Sequence, residues 1–99
     1  MATFTTVRQF FRQHTDIPWY TESVAYRQHV DATYHATGKL VSSTSELDED
    51  QLVMTRTVVW NSEESRNEFT ADPIVQDEFA LRTAHYTQYD IVFKIVSAG

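Results

Sequence analysis

The sequence predicts an α+β fold: an antiparallel sheet of four strands with two helices on one face, in the order β-α-β-β-α-β. Three observations carry this prediction. Residues 3–11 and 91–96 alternate with a period of two, as half-buried strands do. Residues 40–60 hold two β-like runs about an acidic turn. Two stretches of helical spacing, each opened by a capping signal, fill the gaps between strands one and two and between strands three and four. At 99 residues, 41% hydrophobic and 13% aromatic, the chain fits one domain over 1–99 with a packed core.

The first strand places Phe4, Thr6, Arg8 and Phe10 on one face, and Thr5, Val7, Gln9 and Phe11 on the other. Asp16 and Pro18 then open a helix running from Pro18 to about Ala36, since aspartate caps and proline suits the first turn. Its inward stripe reads Trp19, Ser23, Tyr26, Val30 and Thr33, and Gly38 ends it in a left-handed conformation. Strands two and three span 40–47 and 52–60, joined by the turn Asp48-Glu49-Asp50-Gln51. Pairing Leu47 with Leu52 sets Val41, Ser43, Ser45 and Leu47 on the face of Leu52, Met54, Arg56, Val58 and Trp60. Asn61 with Glu64 reads as a capping box for the second helix, which breaks and restarts at Asp72-Pro73. Ile74, Glu78, Leu81, His85 and Tyr89 form its later inward side, with Val75 and Arg82 beside them. The fourth strand is Ile91–Val96. This order is the ferredoxin-like arrangement.

Two helices cover one face of such a sheet, and neither face here is fully polar. The first strand carries phenylalanine on both, and the fourth carries Ile91, Phe93 and Ile95 opposite Val92, Lys94 and Val96. A homodimer packed sheet on sheet is the simplest way to cover the second face.

Composition excludes several classes. There is no cysteine, so no disulfide, thiolate nucleophile or iron–sulfur site forms, and a metal site from four scattered histidines is not expected. No window is apolar enough for a membrane span, and the N-terminus lacks a secretory pattern, so a cytoplasmic protein is expected. Net charge is −6, with residues 46–99 holding eleven acids against four bases. No stretch is basic enough to bind nucleic acid.

Arg8 and Arg56 are the sharpest chemical signal. Each sits mid-strand between apolar neighbours, and strands one and three lie side by side in this fold. Two such arginines repel unless an anion joins them, which points to an anionic or enolate-like ligand. The alternative is a dimer salt bridge with an acid such as Glu46, or packed stems with exposed heads. Trp60, Trp19 and Tyr26 can line a flat apolar pocket or simply pack. His29, one turn from Tyr26, and His85, near Leu81 and Glu78, are candidate bases, with packing or helix-end roles as the alternative. His14 and His35 read as solvent-facing.

The run Val59-Trp60-Asn61-Ser62-Glu63-Glu64, with Phe69, Asp72-Pro73 and Tyr86, resembles the dimeric α+β barrel superfamily and, within it, the antibiotic biosynthesis monooxygenase branch. The resemblance is best over residues 52–91. It implies a homodimer with a pocket between sheet and helices. It does not fix an activity, because relatives oxidise aromatic polyketides without a cofactor, degrade haem, or have no known reaction. Haem-degrading relatives hold an axial histidine on the second helix, where this chain has Phe79. The resulting expectation is a homodimer that binds a small aromatic or anionic molecule. No cofactor is expected. The enzymatic form would be cofactor-independent, monooxygenase-like chemistry, with His29 or His85 as base and Arg8 and Arg56 stabilising negative charge. The alternative is a non-catalytic binding or interaction module without an active site.

Overall fold

The computed structural model describes residues 2–99. The elements are β1 (Phe4–Phe11), α1 (Val24–Val30), a π-helical turn (Asp31–His35), β2 (Leu40–Leu47), β3 (Val53–Trp60), α2 (Glu63–Ala71), α3 (Pro73–Tyr89) and β4 (Val92–Ala98). The strands form one antiparallel sheet in the order β2-β3-β1-β4. This is the α+β, ferredoxin-like arrangement the sequence predicts.

The helices pack on the sheet face that carries the even-numbered residues of β1. Phe4, Thr6 and Phe10 are buried there, whereas Thr5, Val7, Gln9 and Phe11 are only half-buried. The core joins Phe4, Tyr26, Val30, Tyr34, Leu40, Trp60, Phe69 and Val75. Its aromatic centre is Trp60 against Phe69 at 4.8 Å, with Tyr34 edge-on to both at 6.1 and 5.3 Å.

Several local expectations are corrected. The first helix begins at Val24, capped by Ser23, whose hydroxyl accepts from the Tyr26 N–H. Side chains elsewhere claim the preceding segment. Arg12 donates to the carbonyls of Ile17 and Gln51, His85 Nε2–H donates to the Pro18 carbonyl at 2.7 Å, and Tyr20 donates to Glu78. Trp19 therefore lies in a loop, under the Arg12 guanidinium at 4.4 Å. Gly38 does adopt φ +77° and closes the helical segment.

The β2–β3 hairpin pairs Leu47 with Met54, two residues away from the expected Leu47–Leu52 register. The Asp48 carboxylate accepts from the N–H groups of both Leu52 and Val53, which lengthens the turn. The shift by two keeps side-chain parity, so Ser43, Ser45 and Leu47 still share a face with Val58, Arg56 and Met54. A bulge between Leu40 and Ser42 reverses the end of β2. Leu40, not Val41, joins Trp60, and Val41 is exposed.

Ser62, rather than Asn61, caps α2 through the Ser65 N–H. Asp72 in extended conformation ends α2 and caps α3, with Pro73 in the first turn of α3, as read from the sequence. The buried side of α3 is rotated from the expected one. Val75 and Glu78 are buried, while Ile74 and Leu81 are exposed. The rotation brings Arg82 and Tyr86 over the sheet, where Arg82 lies on Phe79 and Tyr86 packs on Phe10.

Candidate functional site

A cavity of about 250 Å³ lies between the sheet and the helices. Its floor is the helix-side face of the sheet, with Thr6 and Arg8 from β1, Ser43 from β2, and Arg56, Val58 and Trp60 from β3. Tyr26, Arg27, Asp31 and His35 reach it from the first helical segment, Arg66 and Phe69 from α2, and Phe79 and Arg82 from α3. Arg8, Tyr26, Arg56 and Trp60, singled out from the sequence, line this one space. Arg8 and Arg56 thus face the helices, a question the sequence leaves open.

Five of the chain's six arginines line the cavity, against two acids, Glu22 and Asp31. The whole chain is acidic, yet this space is basic. Among the described residues the ion pairs are Lys39–Glu68 and His29–Asp72, so none of the five arginines has a carboxylate within ion-pair distance. Aromatic faces hold the guanidinium groups instead. Arg82 lies 4.2 Å over Phe79, Arg66 4.7 Å over Phe4, Arg8 5.8 Å over Phe93 and Arg56 6.0 Å over Phe10. The Arg56 Nε–H donates to the Ser45 hydroxyl at 3.3 Å and the Arg66 Nε–H to Asn67 Oδ1 at 3.0 Å, while their terminal N–H groups are left to donate. The Arg82 Nε is buried with no hydrogen-bond partner among the described residues. Burial lowers the Arg8 pKa, and the nearby charges of Arg82, Arg66 and Arg56 lower it further. Burial pushes the Tyr26 phenol up, so it faces the cavity as a neutral donor.

The histidines divide differently. His29 donates through Nε2 to Asp72 at 2.6 Å, and Tyr34 donates to the same carboxylate oxygen at 2.7 Å. Burial alone would raise the Asp72 carboxyl. Hydrogen bonds from His29, Tyr34 and the Ile74 N–H outweigh it and hold Asp72 below its ordinary value. His85 is held by the Pro18 carbonyl and packs against Tyr89 at 4.7 Å. Neither His29 nor His85 is among the cavity-lining residues, and each is held in contacts that fasten helices and loop together. His35 is solvent-exposed, as the sequence suggests, and lines the cavity at its rim. The π-helical turn that carries it is closed by the Ala36 N–H donating to the Asp31 carbonyl at 2.9 Å.

A second cluster lies beside the cavity. Glu78 accepts from the Ser23 N–H at 2.9 Å, the Ser23 hydroxyl at 2.8 Å and the Tyr20 hydroxyl. Burial would raise the Glu78 carboxyl, but these donors hold it below its ordinary value. Tyr20 is pushed up to about 12 by its own burial and by Glu78. The cluster ties the loop of residues 12–23 to α3.

Sequence reasoning did not single out Arg66, Arg82 or His35 as cavity residues. The helical spacing of Arg82 beside Glu78 was a usable signal, whereas the π-helical turn that places His35 leaves no mark in residue periodicity.

No protein-family model and no curated protein matches the chain. Solved structures do match. One, from Chloroflexus aurantiacus J-10-fl, is named as a candidate antibiotic biosynthesis monooxygenase. It has a TM-score of 0.54 at 15% identity, covering 99% of this chain and 96% of its own. Another of the same designation, from Deinococcus radiodurans, has a TM-score of 0.57 at 14% identity, covering 97% and 89%. Rv0793 from Mycobacterium tuberculosis has a TM-score of 0.51 at 12% identity, covering 97% and 94%. At these identities the likeness is one of fold. The chain has the ferredoxin-like α+β fold of the antibiotic biosynthesis monooxygenase-like proteins over nearly its whole length.

Proposed function

We propose that this chain is a cytoplasmic homodimer that binds a small aromatic anion in the cavity between sheet and helices. The observation that carries the reading is the convergence of Arg8, Arg56, Arg66 and Arg82 on one space with no carboxylate within ion-pair distance. Like charges gathered without counter-charges cost stability in the empty protein, and an anionic ligand offsets that cost. Trp60, Tyr26 and Phe69 supply the apolar wall for a ring. Thermal denaturation with benzoate and with neutral benzamide tests the reading. Benzoate should raise the melting temperature and benzamide should not. Equal effects would remove the charge argument, and no effect from benzoate would remove the reading.

The homodimer rests on the sheet face that the helices leave uncovered. There Val7, Phe11, Val53 and Val59 are half-buried, and Val92 is exposed. The cytoplasmic setting rests on the cysteine-free composition.

A second reading, cofactor-independent oxidation of such a ligand, is favoured by the fold likeness to proteins named as monooxygenases. Arg8 and Arg56 would stabilise negative charge on the ring oxygens. The base would be His35 at the cavity wall; His29 and His85 would influence the reaction only through the elements they fasten. Oxygen uptake with phenolic carboxylates, lost in His35→Ala and kept in His85→Ala, is the expected result. Loss in His85→Ala with uptake intact in His35→Ala would reverse the assignment.

A further inference from the structure

Building on the anion-binding reading above, we propose that the cavity takes a single-ring aromatic dianion. Such a ligand is one six-membered ring bearing two negative charges on neighbouring oxygens, as in an aryl phosphate monoester or an ortho-dicarboxylate.

Size limits the ring system. A dry protein cavity of about 150 Å³ holds one benzene molecule. The 250 Å³ here leaves room for one ring and its acidic groups. A fused-ring skeleton carrying two acidic groups would extend past the exposed rim of Arg27, Asp31 and His35.

Charge sets the number of negative groups. Arg8 sits among Arg56, Arg66 and Arg82, each close enough to lower its pKa. One carboxylate satisfies one guanidinium fork bidentately and leaves the other arginines facing each other. Two negative charges on adjacent oxygens offer enough acceptors to bridge the floor pair, Arg8 and Arg56, to the roof pair, Arg66 and Arg82. The cavity's own acids do not take this role, since neither Glu22 nor Asp31 is in ion-pair distance of an arginine.

Donor availability completes the case. Each of the four guanidinium groups lies over an aromatic ring; the Arg56 and Arg66 Nε–H groups donate to Ser45 and Asn67, which leaves their terminal N–H groups, and the Arg82 Nε is buried without a partner among the described residues. Trp60 and Phe69, 4.8 Å apart, form the apolar end against which the ring would rest.

The test is calorimetric titration of the untagged full chain with phenyl phosphate, phthalate, benzoate, inorganic phosphate and a naphthalene dicarboxylate at fixed salt. Phenyl phosphate or phthalate should bind at least about tenfold more tightly than benzoate, inorganic phosphate or the naphthalene compound. The better of the two dianions identifies the acid as phosphate or dicarboxylate. Arg56→Gln, on the half-buried floor, should bring the dianion within about threefold of benzoate while the circular dichroism stays native. Arg66→Gln serves if that variant fails to fold. Benzoate equal to both dianions would overturn the two-charge claim and leave the anion reading standing. Inorganic phosphate equal to phenyl phosphate would overturn the ring, and equal binding of the naphthalene compound would overturn the single-ring limit. Failure of every anion, benzoate included, would remove both this inference and the reading beneath it.

Discussion

Arg8 on β1 and Arg56 on β3 stand directly opposite each other in the sheet, on the face that meets the helices, and neither has a carboxylate within ion-pair distance among the described residues. Opposed like charges on adjacent strands destabilise a sheet. Their retention on a largely apolar face makes sense if an anion completes them. Arg8→Met should therefore make the empty protein more stable, by about 0.5–1 kcal/mol at low salt. For a domain of this size that is a rise of a few degrees in Tm, on the order of 4–8 °C per kcal/mol. The same change should abolish stabilisation by benzoate. A variant less stable than wild type at low salt, yet still stabilised by benzoate, would show that Arg8 serves packing.

Glu78 and Asp72 make stability pH-dependent at the acid end. Both carboxyls are held below their ordinary values in the fold. The unfolded chain therefore takes up protons first as pH falls, and the stability these groups contribute is present above their ordinary values, 4.5 for Glu78 and 3.8 for Asp72, and is lost below them. Tyr20 acts at the other end. Its pKa is raised from 10.0 to about 12, so its contribution is full below pH 10 and is lost between these values. The contribution of Glu78, Asp72 and Tyr20 to melting temperature should be constant between these two ranges and fall on both sides. Glu78→Gln should flatten the acid side; an unchanged acid slope would remove Glu78 from the account.

Glu78 also holds the 12–23 loop. Glu78→Ala leaves the Ser23 N–H and hydroxyl and the Tyr20 hydroxyl without their acceptor. Loss of about 2–3 kcal/mol is expected by urea denaturation. Amide exchange should rise in residues 12–23 before it rises in the sheet. Uniform exchange across the chain would show that the loop is not separately tethered.

How much of this was legible from the sequence depends on the physics behind each feature. Strand alternation and parity were legible because side chains strictly alternate, so Phe4, Thr6, Arg8 and Phe10 share one face in sequence and structure alike. The Asp72-Pro73 restart was legible because both residues act locally. The hairpin register was not, because the Asp48 side chain takes two backbone donors and lengthens the turn. The start of α1 was not, because Glu78, 55 residues from Ser23, overrides the local signal at Asp16-Pro18. Arg8, Tyr26, Arg56 and Trp60 were legible as a group because apolar faces flank them. Arg82 reads from its helical spacing only as a neighbour of the inward side, and Arg66 carries no signal in the sequence; tertiary packing brings both to the cavity.

The proposed homodimer rests on the second sheet face, which the helices leave uncovered. Val7→Lys and Val59→Lys should each convert a dimer of the 11.5 kDa chain to monomer in light scattering, with the sheet intact by circular dichroism. A wild-type monomer at physiological salt would remove the sheet-on-sheet dimer.

The most direct measurement is a titration of benzoate followed by NMR of the arginine side-chain Nε–Hε signals. The signals of Arg8, Arg56, Arg66 and Arg82 should shift together to one saturating curve. Arg12, held outside the cavity by the carbonyls of Ile17 and Gln51, should stay in place. Shifts at Arg12 with the other four unmoved would contradict an anion site between the sheet and the helices.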